Sequence, residues 1–252
     1  MISPTFIAHR GFTLHYPENT LVAVEAALKA GARFIEIDIQ LTADRVPVLF
    51  HDPDLQRITG KTGCIHDISF NHLKSYRACE PERFGELYKD IPILSLDDYV
   101  TLMGSWSEAW TFVEIKTQSL ERFGIQQVIP VVMETITPVK DRCILISYNE
   151  TALRFARKYG VKKIGWVLTT YDEASGRIAA SLNPDYLFCN YIKIPPPPAH
   201  LWTGPWSWAL YEVTDVVQAL ALADRGVDFI ETMNIGGMLR DPLVQNRMPS
   251  GE

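Results

Sequence analysis

Lys29-Ala30-Gly31-Ala32-Arg33-Phe34-Ile35-Glu36-Ile37-Asp38-Ile39-Gln40 shows in one stretch how the chain is built. Leu21, Val24 and Leu28 lie at helical spacing ahead of it, and a glycine after a last basic residue marks a helix that stops in the left-handed conformation. A buried strand then begins four residues on. The same design recurs from Gly160 to Ile164 and from Gly226 to Ile230, with Val216, Leu220 and Ala223 forming the helical face of the last repeat.

Working outward, the strand candidates are Phe6–Arg10, Phe34–Gln40, Thr111–Lys116, Cys143–Tyr148, Lys163–Leu168, Tyr186–Asn190, Trp208–Val213 and Phe229–Thr232. Helical patterns fall between most of them, near 19–30, 95–105, 119–135, 150–159, 172–182 and 215–225. That alternation predicts an α/β fold, a closed (β/α)8 or TIM barrel, with a doubly wound open sheet as the alternative. The 252 residues suit a single domain over 1–252, and at 47% hydrophobic they can fill one sizeable core.

Two segments break the rhythm. Val46–Phe50 follows the second strand too closely for a parallel crossover, so it reads as the return arm of a hairpin turning at Asp44-Arg45. Residues 53–93 then form an insertion with one short helix expected at 69–78. The run Pro195–Pro198 reads as a stiff loop on the active-site face, where Trp202, Trp206 and Trp208 either wall a pocket or pack in the core.

Composition narrows the function classes. With 24 Lys+Arg against 30 Asp+Glu, the net charge of −6 argues against a nucleic-acid surface. No apolar run is long enough for a membrane span, and Met1-Ile2-Ser3-Pro4-Thr5 carries no signal-peptide pattern, so the reading is cytoplasmic. Cys64, Cys79, Cys143 and Cys189 form no C-x-x-C pair and read as free thiols, those at 143 and 189 buried.

The chemistry concentrates on the second strand. A two-residue turn at Asp44-Arg45 places Asp38 opposite His51, and strand alternation puts Glu36 on the same face. A barrel strand has no solvated face, so acids there need cations or protons to offset their burial. Glu114 and Lys116 repeat the anomaly. Glu36, Asp38 and Glu114 offer only oxygen ligands, which suits Mg²⁺ or Ca²⁺ rather than zinc; the alternative is an ion-pair network with Arg10 and Lys116. His9 and His51 flank this cluster as a general base and a general acid. Arg10 can aim at the site only if its strand ends before it. His15, His66, His72 and His200, and the charged run Glu80, Glu82, Arg83 and Glu86, read as surface.

Taken together, His9-Arg10-Gly11, Pro17-Glu18-Asn19-Thr20, Glu36-Ile37-Asp38, Leu41-Thr42-Ala43-Asp44, Pro47-Val48 and His51-Asp52 form an ordered pattern. It resembles that of the glycerophosphodiester phosphodiesterases. The resemblance continues through Thr59-Gly60-Lys61-Thr62-Gly63, Ile91-Pro92-Ile93-Leu94 and Glu114-Ile115-Lys116, and fades after Ile146-Ser147-Tyr148-Asn149. It implies a metal-dependent phosphodiesterase acting on a small-molecule diester, with one divalent cation on Glu36, Asp38 and Glu114. His9 and His51 become the acid–base pair, and Arg10 and Lys116 take the phosphate. Tyr211-Glu212-Val213-Thr214 and Ile230-Glu231-Thr232 depart from the family pattern on the alcohol side of the pocket. Two rival functions are a lysophospholipase D-like activity, which needs an apolar channel beside Pro195–Trp208, and a silent barrel binding a phosphorylated metabolite.

Overall fold

A computed structural model describes residues 3–247, so Met1, Ile2 and residues 248–252, the ends of the expected 1–252 unit, lie outside the described residues. Among the described residues nine strands form one sheet: β1 (Thr5–His9), β2 (Phe34–Leu41), β3 (Pro47–Leu49), β4 (Trp110–Ile115), β5 (Cys143–Ser147), β6 (Ile164–Val167), β7 (Tyr186–Asn190), β8 (Ser207–Tyr211) and β9 (Phe229–Thr232). Eight of them pair in parallel around a ring, β1-β9-β8-β7-β6-β5-β4-β2, which closes through β1 on β2. This is the (β/α)8 barrel expected from the alternation. β3 lies outside the ring, antiparallel to the end of β2.

Ring closure explains the sequence pattern. Ile35, Ile37 and Ile39 point outward into the layer of helices, while Ile7, Phe112, Ile144, Ile146, Val167, Phe188 and Ala209 fill the interior. Four of the crossover helices start with a capping side chain: Thr20 for α1 (Leu21–Lys29), Asn149 for Glu150–Lys158, Asp172 for Glu173–Leu182 and Asp215 for Val216–Ala223. Gly31, Gly160 and Gly226 take the left-handed conformation at the far ends.

The differences from expectation are local. The helix expected over 119–135 is two, Thr117–Phe123 and Ile125–Thr135, because Gly124 stands between them at φ +85°. Residues 53–93 hold short helical turns at Gln56–Thr59, Ile65–Asp67, Phe70–Leu73 and Pro81–Phe84, so the helix expected at 69–78 is a single turn. This segment has its own small core of Leu55, Ile58, Ile65, Leu73 and Ile93 against Val48 and Phe50. Two further short helices, Ile235–Arg240 and Pro242–Gln245, follow β9.

The proline run does not reach the barrel mouth. Arg225, past the end of a crossover helix, donates to the carbonyls of Pro195 and Ala199. Trp202 stacks on Tyr171 with ring centroids 4.0 Å apart, and Trp208 Nε1 donates to the Trp202 carbonyl. Trp202, Trp206 and Trp208 line a groove with Gly226 and Asp228, at the N-terminal ends of β8 and β9. They therefore wall a pocket outside the carboxylate cleft, toward the N-terminal ends of β8 and β9. No helix among the described residues is long and apolar enough to cross a membrane.

Candidate active site

Alternation along each strand builds the site. The inward columns read Phe34, Glu36, Asp38 on β2; Phe112, Glu114 on β4; Phe229, Glu231 on β9; and Ile7, His9 on β1. Each begins apolar and ends polar toward the C-terminal mouth. Aromatic rings plug the barrel below, with Phe112 packed edge-on against Tyr186 and Phe188. Every acid that reaches the mouth therefore sits on an apolar floor.

His9 is the last residue of β1. Arg10 then turns to φ +56° and Gly11 to φ +96°, which swings the Arg10 guanidinium across the mouth. Its Nε lies 2.8 Å from Asp38 Oδ2 and its Nη1 donates to Glu18 Oε2 over 3.1 Å. Arg10 reaches the site because its strand has ended, as expected. A Cβ at Gly11 would lie 2.6 Å from the Ala23 carbonyl carbon, at a φ that side chains rarely adopt. Gly11→Ala is expected to cost about 3 kcal/mol in a urea unfolding curve, from the backbone conformation and the overpacking together. A midpoint equal to wild type would show that the turn relaxes freely.

Charge is unbalanced here. Four buried carboxylates, on Glu36, Asp38, Glu114 and Glu231, face two cations, Arg10 and Lys116. Lys116 Nζ donates to Glu114 Oε1 over 2.7 Å and to Asp38 Oδ1 over 3.2 Å. Burial works against the charge of Asp38, yet Arg10 and Lys116 hold its carboxyl well below the usual range. The excess falls on the others. Burial, then Asp38 and Glu231, push Glu36 well upward, and burial with Glu114 pushes Glu231 up to about 8. Glu36 Oε1 is buried with no hydrogen-bond partner.

These features fit a divalent cation. Glu36, Asp38 and Glu114 bring ligand oxygens within 4.8 Å of one another, and His9, Glu36 and Glu231 form a second such group. An unpartnered buried oxygen and an excess of negative charge are what a cation would satisfy. The ion-pair network weighed as an alternative is also present, but its two cations leave the rest of the four acids to be met by protons or by a metal ion.

His9 Nε2 lies 3.2 Å from Glu231 Oε1 and 4.0 Å from Glu36 Oε2. Burial, reinforced by Arg10, lowers its pKa to about 3, so the ring is neutral near pH 7. His51 arrives by a different route from the one expected. The ladder pairs Ile39 with Leu49 and Leu41 with Pro47, which sets Asp38 opposite Phe50 rather than His51. The turn runs from Thr42 to Val46, with Arg45 at φ +63° and the Thr42 amide bonded to the Val46 carbonyl. That is one residue out of the two-residue register. His51 still lines the same cleft as His9, Arg10, Glu114 and Lys116, because it lies past the strand end, where the pleat no longer fixes its side.

Several contributors escaped the sequence reading. Asn19, left-handed at φ +56°, donates Nδ2 to Asp38 Oδ2 and accepts from the Asp38 amide. His51 Nδ1 meets Asp52 Oδ1 at 2.6 Å; Asp52 Oδ2 accepts from Arg57 Nε, and Arg57 clamps Glu18 with both terminal nitrogens. One chain of charges thus runs from His51 to Arg10. Tyr148 and Tyr211, with hydroxyls 3.0 Å apart, and Glu212 complete the cleft wall. Glu231 carried the signature already noted for Glu36 and Glu114, an acid inside an apolar strand. Two surface assignments are corrected: His66 is buried against Gln40 and Ser119, and Glu80 is buried while accepting from the Glu18 amide and Arg83. His15, His72 and His200 are exposed, as expected; Cys189 is buried and Cys143 half-buried, both free.

Residues 9–159 match the glycerophosphoryl diester phosphodiesterase family. A glycerophosphodiester phosphodiesterase of Bacillus altitudinis is 32% identical over 151 residues, 60% of this chain and 60% of that protein. Mouse glycerophosphodiester phosphodiesterase 1 is 39% identical over 95 residues, 38% of this chain and 29% of its own. The match thus spans at most about three fifths of these curated relatives. In structure, an Oleispira antarctica phosphodiesterase in complex with the product sn-glycerol-3-phosphate superposes with a TM-score of 0.80 at 22% identity, covering 94% of this chain and 96% of that one. Glycerophosphodiester phosphodiesterase from Agrobacterium tumefaciens gives 0.73 at 20% identity, covering 94% and 99%. With three fifths of its length matched, including the strands that carry Glu36, Asp38 and Glu114, this chain belongs to the glycerophosphoryl diester phosphodiesterase family.

Proposed function

We propose that the protein hydrolyses glycerophosphodiesters to glycerol 3-phosphate and an alcohol, in one unit that carries residues 53–93 as an insertion in its barrel. The observation that carries the reading is one cleft that gathers two histidines, two cations and a buried excess of carboxylate. A binding module has no need of a paired acid and base.

Glu36, Asp38 and Glu114 would hold one divalent cation, Mg²⁺ or Ca²⁺. Bound there, the ion supplies Lewis-acid polarisation of a non-bridging phosphate oxygen. Arg10 and Lys116 offset the rest of the charge on the phosphate. His9, neutral and facing Glu231, takes the proton from the attacking oxygen. His51, opposite the ionised Asp52, gives a proton to the leaving alcohol. Tyr148, Tyr211 and Glu212 line the part of the cleft where the alcohol would sit, and Tyr211 and Glu212 fall where the sequence departs from its family.

The test is release of glycerol 3-phosphate from glycerophosphocholine, with His9→Ala as the control. Turnover is expected to vanish in EDTA and return with Mg²⁺ or Ca²⁺. Full activity after chelation would remove the metal from the reading, and no turnover on any diester would leave a silent phosphate-binding barrel.

A further inference from the structure

His66 is a buried histidine with no place in the proposed chemistry, and it sits on the insertion rather than the barrel. Its Nε2 lies 3.0 Å from Gln40 Oε1, and Ser119 Oγ donates to the same oxygen over 2.6 Å while accepting from the Leu41 amide. The other end of the Gln40 amide, Nε2, donates to the His51 carbonyl over 3.0 Å. A carbonyl cannot donate, so the amide nitrogen must face His51, which leaves the amide oxygen to receive both His66 and Ser119. Turned the other way, Gln40 would set its carbonyl oxygen against that of His51.

This clamp acts where the sheet has stopped holding the chain. The last ladder bond runs from the Phe50 amide to the Asp38 carbonyl, and His51 has no backbone-to-backbone partner among the described residues. The hydrogen bond from Gln40 is what places the His51 main chain, while Asp52 and Arg57 hold its ring. We infer that His66, with Ser119, is a positioning residue: it locks the Gln40 amide, which locks the backbone of His51, so that the insertion sets the aim of the acid–base histidine. The inference rests on the role proposed above for His51.

His66→Phe keeps the edge-on contact with Phe123 and removes the donor; Gln40→Met keeps length and removes the amide. Each is expected to lower kcat on glycerophosphocholine about tenfold, as a displaced catalytic group does, with KM within about twofold. In a His51→Ala background neither should lower the residual rate further, because the effect passes through His51. Wild-type kcat in both variants, or the same fold-loss in the His51→Ala background, would overturn the inference. A second readout needs no turnover. The His51 ring-proton resonance, assigned by its loss in His51→Ala, should shift or broaden in His66→Phe, and an unmoved resonance counts against the clamp. Should the wild type turn over no diester while that resonance moves, the functional reading fails and the positioning stands. If His66→Phe does not fold, Gln40→Met carries the same comparison.

Discussion

Glu36→Gln is expected to lose turnover by at least about 10³-fold and, in metal-free protein, to gain about 1 kcal/mol of stability, a rise of roughly 2–4 °C in Tm. The two effects share one cause. Glu36 is buried beside Asp38, Glu231 and Glu114, its Oε1 has no partner, and burial with those neighbours raises its pKa well above that of an ordinary carboxyl. A group whose folded pKa is raised stabilises the fold fully only below its unfolded value, and loses that contribution as pH climbs through the folded one. At neutral pH, then, the charge or the proton on Glu36 is a burden. Glutamine keeps the shape, and its oxygen can still accept from the Arg10 amide as Oε2 does at 3.2 Å. The gain should be larger at pH 8 than at pH 5.

Asp38→Asn should match the loss of turnover and reverse the sign of the stability change. Asp38 is the acid that both Arg10 and Lys116 address, and Asn19 bonds it twice. Neutralising it takes from Arg10 and Lys116 the carboxylate they share and leaves them Glu18 and Glu114, at a cost of about 1.5–3 kcal/mol. Thermal melts with and without Mg²⁺ or Ca²⁺ decide the matter. Wild type should melt higher with the ion, and both variants should lose that response. Equal destabilisation by both substitutions, with the ion response kept, would place the cation elsewhere.

The barrel was legible because closure makes every strand buried on both sides, and runs such as Phe112-Val113 and Cys143-Ile144-Leu145-Ile146 leave few other ways to read them. The three carboxylates were legible as exceptions to that rule. Glu231 obeys the same rule, but a single acid in a four-residue strand gives no spacing to argue from, so it stands out in the sequence only as a departure from the family pattern. The hairpin register was misread for a local reason. Asp44-Arg45 looks like a two-residue turn, but Thr42 closes a longer one by bonding Asp44 and Val46, and Arg45 accepts a left-handed φ that no glycine or asparagine advertised. His66 and Glu80 sit in polar stretches, and nothing in those stretches shows that the insertion folds back onto β2 and the Pro17–Thr20 loop.

His51→Asn and His9→Asn are each expected to lower kcat by about 10²–10⁴ with little change in KM, because a proton transfer is needed only in the transition state. The pair should be far from additive, since one proton path uses both rings. Leaving-group dependence separates their roles. If His51 donates to the departing alcohol, a diester whose leaving group is a nitrophenol, which departs unprotonated, should be turned over by His51→Asn at close to the wild-type rate. His9→Asn should stay impaired on the same substrate, because the attacking oxygen must still lose its proton. Rescue of His9→Asn instead would exchange the two assignments. Impairment of both variants on the activated substrate would mean that His51 serves the phosphate or its attack rather than the alcohol, and its contact with Asp52 would then be read as anchoring a neutral ring.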